Sequence, residues 1–459
     1  MNEKRNNNND HDENSIFSSA RYIAVKLLNR YDRSDSYIDK LLAAELAHSD
    51  LNYPDKALLT ELVNGVIRWR NKLDWGLNGF YFGDYQKCLN MVKNAMRVAF
   101  YQIMFLDRIP VPAAINESVE IVKRIQSQKT ANVVNGVLRN LARNIDNIRY
   151  PRRGDDLVYH MSIIHSHPKW MVRRWLDRFG ESETERLLAV NNSRGKVIIR
   201  INNITTNREE VTQFLKKNNI DFELSPYSER SVIITSRGVD MASTELFRQG
   251  KITIQDTSAT MACELAAPAE GSTIYDLCAA PGGKSFLLAE ISGNSGRVVA
   301  IDKYKSRLRF IDEGAQRLGL DSIETYIYDS TQDLPFDPAD LVITDVPCSG
   351  LGTLSKKPDI KWKREPEDFP KIIQIQRNIM ANAARMVRPG GVFLYSTCTI
   401  EPEENTGNVE WFLENYPEFE IDPAEKYLPA EVCRDGFMQT FPHIHATDGA
   451  FAARMIKKG

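Results

Sequence analysis

Two cysteines occupy settings in which a thiol could do chemistry. Cys398 closes the run "YSTC" (395–398), and Cys348 follows the run "DLVITDV" (340–346) in "TDVPCSG". Both runs are rich in β-branched, apolar and aromatic residues and read as the ends of buried strands. Adjacent strand ends lie ~5 Å apart, so the two thiols could face one cleft, with Asp345 beside them. A thiolate is a strong nucleophile, and a carboxylate can hold the edge of a heterocycle while charge shifts across it.

Three more features stand at strand ends. "DLCAAPGGKS" (276–285) follows one apolar run, and its small residues and two glycines let backbone N–H groups approach a ligand ahead of a helix. Asp302, twenty residues after Gly282, ends the next run and can accept both hydroxyls of a ribose. Asp329 ends the third, where it would border an adenine. Together they describe a nucleoside site. A nicotinamide dinucleotide is the weaker fit, because the loop reads A-A-P-G-G-K rather than G-x-G-x-x-G. S-adenosylmethionine is the better one. With that donor at hand, the thiols suit methylation of C5 of cytosine. Thiolate addition to C6 makes C5 nucleophilic, Asp345 holds the N3/N4 edge, and the second cysteine assists elimination. From residue types alone either cysteine could attack.

The elements that must position these residues alternate from about residue 271. Strands are expected at 272–278, 297–302, 324–329, 340–346 and 391–397, with helices such as 306–319 and 375–387 between them. Near-continuous apolar strands with helical crossovers predict a mostly parallel sheet covered on both faces, the doubly wound α/β class, with its ligand beyond the carboxyl strand ends. Upstream, 18–145 reads as all-α. In "ALLTELVNGVIRW" (57–69), Leu58, Leu59, Leu62, Val63, Val66 and Ile67 share one helical face. "YPRRGDD" (150–156) reads as a linker. A small α+β unit follows, with strands at 196–202 and 231–236 and a helix at 208–218.

A chain of 459 residues, 42% apolar and 26% charged, fits a multidomain globular protein. No stretch approaches the ~18 consecutive apolar residues of a membrane span. The start, 1–17, is Asn-rich and reads as a disordered tail rather than a signal peptide. Residues 16–270 carry 36 Lys+Arg against 29 Asp+Glu, whereas 271–459 carry 21 against 28. A basic first half suggests that it holds a polyanion. The six cysteines include no C-x-x-C pair, so neither a metal nor a disulfide framework is expected. The pairs His165/His167 and His443/His445 read as surface or loop residues. A cytoplasmic monomer without membrane attachment is the expectation.

"DLCAAPGGKS", "DVPCSGLGTLSKKPDIKW" and "YSTCTIEPEEN" resemble the signature blocks of the RNA (cytosine-C5) methyltransferases of the Fmu/Sun type, and the likeness runs from about 18 to 457. It implies a NusB-like helical RNA-binding domain over 18–148, a small α+β RNA-binding subdomain over 155–255, and a class I, Rossmann-like methyltransferase domain over 256–459. It further implies Cys398 as the nucleophile, Cys348 as the group assisting product release, Asp345 on the cytosine, and Lys284 in the cleft. Cys278, Ala279, Ala280, Pro281, Gly282, Gly283, Lys284, Asp302, Arg307, Asp329 and Asp345 would line S-adenosylmethionine, with no metal. The implied partner is 16S ribosomal RNA or a small-subunit assembly intermediate. Transfer RNA as substrate, and a non-catalytic RNA-binding assembly factor, are the alternatives. Where many members read "RRHPDIKW", this chain reads "SKKPDIKW", and its run Lys356, Lys357, Lys361, Lys363, Arg364 offers phosphate contacts.

Overall fold

A computed structural model of the chain describes residues 18–459. The expected disordered tail, 1–17, lies outside the described residues. The chain packs as two units: residues up to Ser193 together with Lys357–Lys363, and Arg194–Lys356 together with Arg364–Gly459.

The first unit is helical, from Ala20–Tyr31 to Lys169–Asn191. Helix Tyr53–Arg68 starts where the Asn52 side chain accepts the Asp55 N–H at 2.9 Å, and it buries Leu59, Leu62, Val63, Val66 and Ile67. A side chain at Gly65 would strike the Tyr101 ring, so helix Asn90–Phe105 can pass close by.

The segment Lys357–Lys363 belongs to this unit by its contacts. Helix Ile38–His48 has no cap from its own N-cap residue; the Ile38 N–H donates to Asp359 Oδ2 at 2.9 Å. Lys361 is fully buried and donates to Arg68 O, Ser166 O and Asn192 Oδ1 at 2.9, 2.9 and 3.0 Å. Trp362 Nε1 donates to Ile67 O at 2.8 Å, and Lys363 Nζ to Ser34 O. The basic run read as a phosphate surface therefore departs from expectation: Lys361 and Lys363 are taken up by backbone carbonyls of the helical unit. Of the histidines expected at the surface or in loops, His165 and His167 do lie in a loop, but two are buried rather than exposed. His167 is fully buried with Nδ1 at 2.7 Å from His165 O, and burial, with Lys361 nearby, holds its pKa well down; His443 is also buried.

The second unit holds two sheets. Strands β1 (Val197–Ile201), β2 (Phe222–Leu224), β3 (Ser231–Ile234) and β4 (Ile252–Ile254) form an antiparallel sheet in the order β2-β3-β1-β4, packed on helix Arg208–Lys217. Arg200 of β1 forms a fully buried ion pair with Glu290 of helix Gly283–Ile291.

The large sheet comprises β5 (Thr273–Asp276), β6 (Arg297–Asp302), β7 (Ile323–Ile327), β8 (Ala339–Asp345), β9 (Val387–Thr397), β10 (Phe419–Ile421), β11 (Cys433–Arg434), β12 (Phe437–Thr440) and β13 (Ala450–Lys457). Its order is β11-β12-β13-β9-β8-β5-β6-β7, with β10 on β13. Strands β5 to β9 pair in parallel, and β13 runs antiparallel to β9. Period-2 alternation builds two cores. Ile274, Val298, Ala300, Leu341, Ile343 and Leu394 enter one, beneath helices Thr257–Ala266 and Gly283–Ile291. Tyr275, Val299, Ile301, Val342, Phe393 and Tyr395 enter the other, beneath helices Phe369–Met386 and Thr406–Asn415. This is the doubly wound sheet expected from the sequence.

Candidate active site

In the order β9-β8-β5-β6-β7 the chain reverses direction of growth between β5 and β8, which opens a crevice at their carboxyl ends. Parallel pairing sets Asp345 opposite Ser396, and Ser396 Oγ donates to Asp345 Oδ1 at 3.1 Å. Just beyond both strands, Cys348 Sγ and Cys398 Sγ stand 3.2 Å apart. One of the two must be the donor in that contact. The hydrogen bond to Cys398, with burial, pushes the Cys348 thiol well above its ordinary range.

Lys284 reaches the same place from helix Gly283–Ile291. Its Nζ lies 2.7 Å from Asp345 Oδ2. Burial disfavours its charge, yet Asp345 more than compensates, with further contributions from Cys263 and then Cys398, so its pKa stands above the ordinary lysine value. The cleft thus combines two sulfurs, one carboxylate and one ammonium.

The loop between β5 and that helix folds back tightly. Gly282 adopts φ +109°, and a Cβ there would meet the Phe286 ring at 2.5 Å, so the position demands glycine. Ala279 N donates to Ile301 O at 2.9 Å, and Gly282 N to Ala279 O at 2.7 Å. The loop also includes Ala280, Pro281 and Gly283. Beneath it, Asp276 is buried; burial raises its carboxyl to about 6 even though Ser285 Oγ donates to it at 2.6 Å. Burial, reinforced by Asp276, likewise pushes the Cys278 thiol well up, which suits an inert wall residue rather than a nucleophile.

At the end of β6, Asp302 Oδ1 accepts the Tyr304 N–H at 2.9 Å, and Oδ2 pairs with Arg307 at 2.9 Å. Arg307 also donates to Ala280 O at 2.6 Å, so this residue ties the loop to the Asp302 carboxylate. Beyond β7, Asp329 pairs with Lys303 at 2.7 Å and accepts from Thr331; the Lys303 hydrogen bond, then that of Thr331, holds its carboxyl at about 2. Two carboxylates at consecutive strand ends, beside a backbone turn too close-packed for any side chain at Gly282, fit the ribose, adenine and amino-acid portions of S-adenosylmethionine.

Sequence reasoning missed the groups that hold the Cys348 loop, apart from Arg364, which it read as a phosphate contact. Gln376 Nε2 donates to Pro347 O at 2.9 Å, Arg364 donates to Cys348 O and Ser349 O at 3.2 and 3.1 Å, and Glu404 Oε2 accepts the Ser349 N–H at 2.8 Å. Asn405, next to Glu404, accepts from Thr397 Oγ1 at 2.6 Å and donates to Thr399 O at 3.0 Å, bracketing Cys398. The only signal was that Glu404 and Asn405 fall within "YSTCTIEPEEN".

The family model described as 16S rRNA methyltransferase RsmB/F matches residues 263–456, that of the NusB family residues 18–143, and that of the RsmF/B-like ferredoxin-like domain residues 167–241. The chain is 34% identical to the probable ribosomal RNA small subunit methyltransferase B of Bacillus subtilis (strain 168), across 96% of this chain and 99% of that protein. The chain belongs to the RsmB/F family of 16S rRNA methyltransferases. It is 32% identical to the corresponding probable enzyme of Synechocystis, again over 96% of this chain. In fold it resembles the crystal structure of PH0851, with a TM-score of 0.80 at 24% identity over 96% of this chain and 99% of that one. It also resembles NSun6 from Pyrococcus horikoshii, solved with SFG, with a TM-score of 0.58 at 21% identity over 64% of this chain and all of that one. Membership of the RsmB/F family makes the chain an S-adenosylmethionine-dependent methyltransferase acting on ribosomal RNA, with the helical domain NusB-like and the small sheet domain ferredoxin-like. No helix of the described residues is long and apolar enough to cross a membrane.

Proposed function

We propose that the chain methylates C5 of a cytosine in 16S ribosomal RNA through a covalent adduct between Cys398 and C6 of that base. The observation that carries the reading is the 3.2 Å approach of Cys348 Sγ to Cys398 Sγ, beside the Lys284–Asp345 pair. Bound S-adenosylmethionine supplies an electrophilic methyl group, held by the 278–284 loop, Asp302, Arg307 and Asp329. Cys348 keeps the proton of the sulfur pair and donates toward Cys398, which leaves Cys398 to attack. The Lys284 ammonium provides positive charge beside the sulfur, and Asp345 accepts from the N4/N3 edge as the ring gains electron density. Attack at C6 moves the C5=C6 electron pair to C5. C5 would take the methyl group as the methyl–sulfonium bond breaks onto the donor's sulfur, leaving a neutral thioether. The C5 proton then passes to solvent, the C–H pair restores the double bond, and the C6–S bond breaks back onto Cys398 as a thiolate. Cys348, in contact with that sulfur, assists this release. A base flipped from its stack or held in a loop could reach so recessed a pair.

The reading takes the chain to act as a monomer in the cytoplasm. Incubation with methyl-labelled S-adenosylmethionine and total RNA from a deletion strain, followed by nucleoside analysis and bisulfite sequencing, tests it. Label in 5-methylcytosine of 16S RNA is expected. Label in transfer RNA instead would redirect the substrate, and label in no RNA would leave an assembly factor.

A further inference from the structure

Cys348 lies on a loop outside any helix or strand, so its orientation must be imposed by groups from elsewhere. Two peptide planes flank its Cα, and both are pinned. The carbonyl of the first, Pro347 O, accepts from Gln376 Nε2 at 2.9 Å. The second is gripped at both ends: its carbonyl, Cys348 O, accepts from Arg364 Nη2 at 3.2 Å, and its N–H, on Ser349, donates to Glu404 Oε2 at 2.8 Å. The same Glu404 oxygen accepts from Gln376 Nε2 at 2.9 Å, so one carboxylate organises the clamps on both planes. Fixing both planes fixes the direction of the Cα–Cβ bond, and with it where the sulfur can stand.

Glu404 is fully buried, and burial raises its carboxyl above the usual range despite the hydrogen bonds from Ser349 and Gln376. Its second oxygen, Oε1, is buried with no hydrogen-bond partner among the described residues. A buried carboxyl half-satisfied in this way costs stability, which is a poor solution if the loop needed only to be filled.

We propose that Glu404 is the positioning residue for Cys348: through Ser349 and Gln376 it sets the approach of the two sulfurs on which release of methylated RNA depends. The proposal rests on the two-cysteine reading above. Its test uses the full chain with labelled S-adenosylmethionine and total RNA from a deletion strain, comparing Glu404→Ala, Glu404→Gln and the wild type. The amide oxygen introduced by Glu404→Gln can still accept from Ser349 and Gln376, so that variant should turn over within about threefold of wild type, while Glu404→Ala should slow release on the order of 10- to 100-fold. The decisive signature is a gain: Glu404→Ala should accumulate a denaturant-resistant protein–RNA adduct, with cofactor affinity by calorimetry unchanged. A general structural defect would lose adduct and cofactor binding together, and that outcome overturns the proposal. Wild-type release with no adduct in Glu404→Ala also overturns it. If the wild type itself makes no 5-methylcytosine, it is the underlying reading that fails.

Discussion

Cys348 Sγ stands 3.2 Å from Cys398 Sγ across the carboxyl ends of the hydrogen-bonded parallel strands β8 and β9, fifty positions apart in the chain. Two sulfurs in hydrogen-bond contact cannot both be thiolates without strong repulsion, so their protonation is shared. The asymmetry between attacking and assisting sulfur follows from which one keeps the proton.

Lys284 and Asp345 are expected to act as a unit. Lys284→Met should lower kcat/KM by about 100-fold or more, as does removal of one preorganised charge-stabilising donor, because it removes the ammonium 2.7 Å from Asp345 in the same cleft as Cys398. Asp345→Asn should cause a similar loss. The double variant should be little worse than either single one, which steady-state kinetics on 16S RNA would check.

The buried Arg200–Glu290 pair joins the ferredoxin-like sheet to the catalytic helix Gly283–Ile291. Arg200→Met strands the Glu290 carboxylate and should destabilise the unit by about 3–5 kcal/mol, whereas the double change Arg200→Met with Glu290→Leu should recover most of it. Thermal unfolding followed by calorimetry distinguishes the two. An unchanged melting temperature for Arg200→Met would refute the inter-domain role.

Asp448 predicts a pH effect on stability. It shares Lys356 with Asp256: Lys356 Nζ is 2.8 Å from Asp448 Oδ2 and also contacts Asp256 Oδ2. Burial, and then the Asp256 charge, raise the Asp448 carboxyl to about 7. Its folded-state pKa exceeds the unfolded one, so the folded state binds the proton more tightly. The resulting stability is present in acid and is lost as pH rises toward and through about 7. Asp448→Asn should flatten that part of the stability–pH curve relative to wild type, as read by denaturant titrations between mildly acidic and mildly alkaline pH.

Much of this architecture is legible in the sequence because the central strands β5, β6 and β8 and the carboxyl half of β9 are buried on both faces and therefore read as apolar runs. Strand β6 spans 297–302 in both readings. Strand β9 begins at Val387, before the expected 391, because pairing of Val387 with Ala339 carries the ladder through Pro389, Gly390 and Gly391 by way of a register shift. Local chemistry reads those residues as a break. Strand order then brings Cys348, Cys398 and Asp345 together, as their positions at strand ends imply, and Lys284 joins them from helix Gly283–Ile291. What stays hidden is contact set by tertiary packing. A lysine in "SKKPDIKW" looks like a phosphate ligand until three backbone and side-chain oxygens surround Lys361 in the helical unit. Glu404 looks like one acid among several until its oxygen meets Ser349 N. The choice between the two cysteines came from family resemblance, since both occupy equivalent strand-end settings.

The most direct test of the two-cysteine account is denaturing electrophoresis of the purified chain after reaction with S-adenosylmethionine and labelled 16S RNA. Cys348→Ala is expected to retain RNA in a covalent band resistant to denaturant, while Cys398→Ala and the double variant give neither band nor methylated product. A covalent band from Cys398→Ala, or release of methylated RNA at the wild-type rate by Cys348→Ala, would contradict the assignment.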